Sequence, residues 1–272
     1  MIPILFKIGP LTIYSYGAAL VVAFYTTYFL LSRELKRLNY DEKLASDMIF
    51  AAAVGGILGS KLYYLIENYD RVIEDPTGMI FSGSGLVFLG GLMGGTLGVT
   101  HILKKNNLPW LVFADIVAPL LILGYAIGRV GCLLVGDDYG LPTHLPWGLT
   151  FKDGLPPTST HNFALYYPWV DLTGFEPGWL KVHPTQLYET LSGLAIFAFL
   201  WMRRNQVKVV GSLFFTYLIM AGLERFLVEF IRTNDKYLLN LFSGAQVISL
   251  GMIIIGTYFL IYPFKQDEDF EV

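Results

Sequence analysis

Apolar positions in this chain come in long unbroken blocks rather than in alternation. Seven stretches stand out, roughly Tyr14–Leu31, Met48–Ile66, Gly85–Leu103, Leu111–Val135, Gln186–Met202, Gly211–Ile231 and Gly244–Tyr262. Each approaches the ~20 residues that a helix needs to cross a bilayer. Backbone groups in lipid must be satisfied within the segment, so repeated blocks of this length predict an all-α membrane protein, a bundle of seven transmembrane helices. Tyr, Trp and Phe near several of the block ends suit anchoring at the membrane interface. The longest polar interval, 136–185, is rich in Pro, Trp, Gly and aromatic residues. That composition predicts a folded cap between the fourth and fifth helices rather than a disordered linker.

Composition agrees with the blocks. Of 272 residues, 54% are hydrophobic and only 15% charged, against ~25% charged in soluble domains. Seven spans use most of the chain, so it reads as one membrane domain, 1–272, with the cap inserted in it. A net charge of −3 argues against a nucleic-acid partner. Cys132 is the only cysteine, which leaves no disulfide within the chain. The N-terminus lacks a basic region before a short apolar core with a cleavage site, so the first span is expected to serve as an uncleaved insertion signal.

Loop charge sets an orientation. Arg33, Lys36, Arg37, Lys43, Lys104, Lys105, Arg203, Arg204, Lys208 and Lys265 fall on one side. Lys7, Arg71, Lys152, Lys181, Arg232 and Lys236 fall on the other, spread over more residues. The positive-inside rule then places the N-terminus outside, the C-terminus in the cytoplasm and the cap outside. In that frame the ionisable residues within the spans gather toward the outer leaflet: Lys61, Arg129, Glu189, Glu224, Arg225 and Glu229. A charge at mid-bilayer costs at least ~2.5–3.5 kcal/mol, so such residues are functional candidates by default.

Three constellations carry them. Gly124-Tyr-Ala-Ile-Gly-Arg-Val-Gly-Cys132, followed by Gly136-Asp-Asp-Tyr-Gly140, surrounds Arg129 with small residues that let backbone approach an anion. The guanidinium of Arg129 is a planar fork suited to phosphate; the plainer role is an arginine snorkelling to the interface. Glu224-Arg225-Phe-Leu-Val-Glu229-Phe-Ile-Arg232 sets Arg225 and Glu229 four apart on one helical face, with Arg232 a turn later. The plainer role is an intrahelical ion pair that neutralises Arg225 for insertion, and it is compatible with a functional one. His183-Pro-Thr-Gln-Leu-Tyr-Glu189 opens the fifth helix, where Gln186 and Glu189 are placed to face inward and His183 titrates near neutrality; a helix-start histidine is more often structural. Gly90-Gly91 with Gly94-Gly95 is a small-residue surface for helix packing or for close approach to a headgroup. Lys61, beside Gly59 and Ser60, is a headgroup ligand or a snorkelling lysine. Nothing beside Cys132 activates a thiolate, and no motif requires a metal or cofactor.

Taken together these motifs resemble the bacterial prolipoprotein diacylglyceryl transferases. Gly128-Arg129-Val-Gly131, Gly136-Asp137-Asp138-Tyr139-Gly140, the His183 to Glu189 run and Arg225 to Arg232 carry the resemblance, with Tyr16-Gly17 and Gly90-Gly91. It covers the whole chain. It implies transfer of the diacylglyceryl group of phosphatidylglycerol to the cysteine thiol that ends a prolipoprotein signal peptide, forming a thioether and releasing glycerol phosphate, in a bacterial inner membrane. Arg129 and Arg225 match the family's essential arginines; Tyr16, Glu189 and Glu229 match other motif positions. On this reading Arg129, Arg225, His183 and Asp137 are the catalytic candidates. Tyr16, Lys61, Gly90, Gly91, Gln186, Tyr188, Glu189, Glu229 and Arg232 are the substrate-binding candidates, and phosphatidylglycerol, prolipoprotein signal peptides and membrane lipids the partners.

Two positions depart from the family. Leu89 stands where a histidine usually precedes the Gly90-Gly91 pair, and Cys132 where an asparagine usually follows the Gly-Arg-x-Gly. A proton acceptor must therefore be sought elsewhere, at His183 or Asp137. A relative that transfers a lipid group to another acceptor fits the same residues. A lipid transporter fits less well, because the inner halves of the spans are almost uncharged. The orientation predicts that a reporter fused after Val272 is active only in the cytoplasm; activity on the outside would overturn it.

Overall fold

The computed structural model describes residues 2–9, 11–82, 87–236 and 241–264. Gly85, Lys265 and Val272, which entered the span boundaries, the charge count and the reporter position, lie outside them. In order, the elements are β1 (Ile4–Ile8), β2 (Leu11–Tyr14), α1 (Ser15–Arg37), α2 (Lys43–Glu67), α3 (Tyr69–Glu74), α4 (Pro76–Phe81), α5 (Phe88–Lys105), α6 (Trp110–Val135), α7 (Thr160–Tyr166), α8 (Thr185–Arg203), α9 (Ser212–Val228) and α10 (Gly244–Ile261). Each of the seven apolar blocks is helical. Four of these helices, α1, α2, α6 and α10, are long and apolar enough to cross a membrane.

Several elements differ from expectation for local reasons. The fold is not purely helical: β1 and β2 form an antiparallel hairpin in which Lys7 pairs with Thr12. Its turn passes through Gly9 at φ +57°, a conformation glycine adopts without strain. Helix α1 outruns its apolar block by six residues, to Arg37, because Leu31 and Leu35 remain buried on one face and the buried Glu34 beside them pairs with Arg37. Helix α9 stops at Val228, and its last turn tightens into a 3-10 turn over Glu229–Ile231.

The chain divides into two compact units, Tyr28–Phe113 and the remainder. In the first, α2 packs on α5 along facing glycines. A Cβ on Gly59 would lie 2.8 Å from Gly94 Cα, and one on Gly91 would lie 2.5 Å from Ser60 Oγ. A Cβ on Gly90 would collide with the Gly59 carbonyl oxygen, so Gly90 belongs to the packing seam, while Gly91 faces the Ser60 side chain. Lys61 donates to the carbonyl of Ser82 at 2.9 Å and to its hydroxyl at 2.8 Å, and its ammonium lies 5.4 Å from the centre of the Tyr64 ring.

In the second unit α8 and α10 both pack on α9. A core of Ile122, Ile196, Leu200, Leu213 and Ala221 joins α6, α8 and α9. Asp115 of α6 accepts the backbone N–H groups of Gly211 at 2.6 Å and Phe214 at 2.8 Å, capping α9 from a neighbouring helix. Between α6 and α8 the chain builds a second core from Tyr139, Phe151, Phe163, Leu180 and Val182. Thr158 ties it inside, accepting from Phe151 N–H at 2.9 Å and donating to Leu180 C=O at 3.1 Å.

Gly94→Ala is expected to lower thermal stability in detergent by about 1–3 kcal/mol, the usual cost of overpacking. Gly251→Ala, where a Cβ meets open space, serves as the control and should leave stability unchanged or slightly raised. Equal stability of the two variants would contradict the glycine seam.

Candidate active site

The site grows from α8. Pro184 precedes its first turn, and Thr185 and Gln186 are fully buried there. Thr185 donates to the carbonyl of Asp138 at 2.8 Å, and the Gln186 amide donates to the carbonyl of Asp137. These bonds fasten the turn after α6, where Gly136 and Asp138 both take positive φ. One turn along α8, Glu189 is fully buried.

Three arginines converge on Glu189. Arg225 donates to it at 2.9 Å, Arg232 approaches at 3.3 Å and Arg129 at 3.4 Å, while the Tyr125 hydroxyl donates at 2.9 Å. Two further carboxylates complete the set. Asp138 takes Arg129 at 2.6 Å and Arg232 at 2.8 Å. Glu229 takes Arg225 at 2.7 Å, Asn234 at 2.7 Å and Ser243 at 2.7 Å. Three guanidiniums thus meet three carboxylates, and the cluster is neutral as a whole. Isolated buried charges would each cost several kcal/mol; a closed and hydrogen-bonded set avoids most of that. The arginines are not equally enclosed. Arg232 is 6% exposed at its side chain, Arg129 15% and Arg225 22%. Arg129 and Arg225 are therefore the two with surface left to offer an anion.

The acids flanking the cluster divide by environment. Burial alone would raise Asp138, but the charges of Arg232 and Arg129 outweigh it and hold its carboxyl below the usual range. Burial raises Asp137, and the charge of Asp138 adds to it; contact with the Cys132 thiol opposes both. Oδ1 of Asp137 is buried without a hydrogen-bond partner among the described residues. Burial lowers His183. Its ring lies 3.4 Å from the Tyr188 hydroxyl, which also accepts from Trp147 at 2.8 Å. His183 and Tyr188 thus form an aromatic group of their own.

The chain belongs to the prolipoprotein diacylglyceryl transferase family. A family model described as prolipoprotein diacylglyceryl transferase matches residues 3–262. A Clostridium tetani protein named phosphatidylglycerol–prolipoprotein diacylglyceryl transferase is 34% identical over 259 residues, covering 95% of this chain and 96% of that protein. A Vibrio cholerae protein of the same name is 31% identical over 274 residues, covering 97% and 92%. One from Pseudomonas paraeruginosa is 30% identical over 275 residues, covering 97% and 94%.

Within this family member, Arg129, Arg225, Glu189, Glu229 and Arg232 form one network, with Gln186 and Asp137 at its edge. Tyr16 stands on the first turn of α1 against the Arg129 motif, since a Cβ on Gly131 would lie 3.3 Å from its ring. Lys61, Gly90 and Gly91 belong to the other unit, where their described contacts are internal. Sequence reasoning missed Asp138, Tyr125, Asn234 and Ser243. Tyr125 precedes Arg129 by one helical turn and lies 5.0 Å below its guanidinium, a spacing that could have drawn notice. Ser243 opens α10 in a capping box with Gln246 that was visible as Ser-x-x-Gln. Nothing in the Asp-Asp pair tells which of the two side chains meets the arginines.

Because the folded value of Asp138 is depressed, its charge contributes stability above its unfolded value of about 3.9, and that contribution is lost as pH falls through the folded value. Asp138→Asn is expected to be less stable than the parent at pH 7 and to converge with it below about pH 3.9. A gap that stays constant into acid would assign Asp138 a packing role.

Proposed function

We propose that this chain transfers the diacylglyceryl group of phosphatidylglycerol to the cysteine thiol of a prolipoprotein. The cluster of three arginines on the buried Glu189 and Glu229 and the more exposed Asp138, in a chain of this family, is the observation that carries the reading. In the same reading all seven long helices cross a bacterial inner membrane, the N-terminus and the 136–185 cap lie outside, and the site opens to the outer leaflet. The acceptor cysteine ends the signal peptide.

The chemistry follows from charge. The acceptor sulfur attacks the glycerol carbon that bears the phosphate oxygen. A carbon–sulfur bond forms, the carbon–oxygen bond breaks, and glycerol phosphate leaves carrying one more negative charge. Arg129 and Arg225, held in place by Glu189, Asp138 and Glu229, supply donors where that charge develops, and fixed donors need no reorganisation as it appears. The thiol proton needs an acceptor, and Leu89 offers none. Asp137 and His183 remain the candidates. The unpartnered Oδ1 and raised pKa of Asp137 support it as a base. The His183 ring already faces Tyr188, which suits it to holding the start of α8. Tyr16 lines the approach to Arg129.

Purified protein mixed with phosphatidylglycerol and a lipobox peptide should add one diacylglyceryl group to the peptide by mass. Arg129→Lys and Arg225→Lys keep charge but lose the planar fork. Turnover should fall about 10²-fold or more in each, the usual cost of losing one fixed oxyanion donor. Near-normal turnover in both would refute the phosphate role. Asp137→Asn should lose more activity at pH 6.5 than at pH 9, where the acceptor thiol, of pKa about 8.5, ionises unaided. If His183→Ala shows that pH pattern and Asp137→Asn does not, the base is His183.

A further inference from the structure

A cavity of about 530 Å³ opens beside the arginine cluster, on the side of the cap. Leu141, Pro142, Val170, Phe230 and Trp169 line it with apolar surface, and Arg232, Asn234, Asp235, Lys236 and Asp171 line it with polar groups. Arg232 belongs to both places. Its guanidinium is in the cluster, while its backbone pairs with Gly140 and lies extended at φ −84°, ψ 160°. The stretch that follows, Thr233–Lys236, is in no helix or strand. The Thr233 carbonyl accepts the Trp169 indole at 2.9 Å. Among the described residues, the backbone N–H groups of Thr233, Asn234 and Asp235 make no backbone–backbone hydrogen bond. Irregular backbone whose N–H groups are without a backbone partner among the described residues, beside a half-apolar cavity, suits recognition of an extended peptide, with main-chain bonds giving affinity and pockets taking side chains.

The polar lining argues against a phospholipid headgroup here. Asp171 and Asp235 share it with Arg232 and Lys236, so a phosphate would meet two carboxylates. If the cavity is equant, its volume corresponds to a space roughly 8 Å across, the length of two to three extended residues at ~3.4 Å each. Resting on the transferase reading, we propose that this cavity holds the residues that follow the acceptor cysteine in the prolipoprotein. They lie along Thr233–Lys236 and help to place the thiol at the cluster. A signal peptide that ends at its cysteine in the membrane delivers the next residues to the cap side, where the cavity is.

The test compares two lipobox peptides, one ending at the cysteine and one extended by three residues. Binding is measured by fluorescence anisotropy, and transfer by KM and kcat with phosphatidylglycerol micelles. The extended peptide should bind about tenfold more tightly and show a KM lower by the same factor. N-methylating its added residues should remove that gain. Val170→Trp, which fills the cavity, should also remove it while leaving turnover of the short peptide unchanged. Lys236→Glu, which keeps the cavity and alters only the charge of its lining, covers the case in which Val170→Trp does not fold. It should favour extensions carrying a cation over those carrying an anion. Equal binding and equal KM for the two peptides would overturn the proposal. So would a Val170→Trp effect confined to the KM for phosphatidylglycerol, which would assign the cavity to a lipid headgroup. If neither peptide is modified but the extended one still binds more tightly, the transferase reading fails and the peptide site stands.

Discussion

The site depends on one buried carboxylate. Glu189 has no exposed surface and is the point at which Arg129 of α6, Arg225 of α9 and Arg232 beyond α9 come together. A guanidinium in an apolar bundle is stable only where a carboxylate and further hydrogen bonds offset its lost hydration. Glu189 gives that partner to all three at once, which is why α6 and the far end of α9 with the turn beyond it must meet at one height along α8. Asp138 and Glu229 bring the charge to balance. The balance leaves Arg129 and Arg225 partly exposed and preset, so an arriving anion finds donors that are already oriented.

The rest of the second unit holds that point steady. Asp115 caps the far end of α9 from within α6, fixing the helix that delivers Arg225 and Glu229. Thr185 and Gln186 bind the turn that presents Asp137 and Asp138, and the cap's own core of Tyr139, Phe151 and Phe163 stops that turn from moving. Glycine lets α8 lie close on α6, since a Cβ at Gly193 would already be 3.1 Å from Ala126. Close backbones bring short acidic side chains within reach of arginines on the facing helix. Packing and electrostatics are therefore one arrangement: small residues set the distances, and the distances let the ion pairs form.

How far the chain could be read without coordinates follows from the range of each force. Helix formation acts over one to five turns, so the long helices were legible in the apolar blocks, and their ends erred only where local detail decided. The family motifs likewise singled out Arg129, Glu189, Arg225, Glu229 and Arg232, because a charge set in an apolar block is costly and persists where it is paired or used. The hairpin went unseen because its strands are four and five residues long, too short for a periodic signal.

What the sequence could not contain is which side chains meet. Glu189 and Arg129 are separated by the end of α6, the whole cap and the first turn of α8, and no spacing rule links them. Asp137 and Asp138 are chemically identical neighbours. The positive φ of Asp138 and the bonds from Thr185 and Gln186 turn one toward the arginines and leave the other against Cys132. Gly90 and Gly91 read as a packing seam or a headgroup platform, and only the structure shows which α2 residues lie against them. By itself, then, the sequence determined the elements and the residue types, because those rest on contacts a few positions apart. Only the tertiary structure decided the partners, because hydrogen bonds and ion pairs act over about 3 Å and depend on how helices separated along the chain are packed.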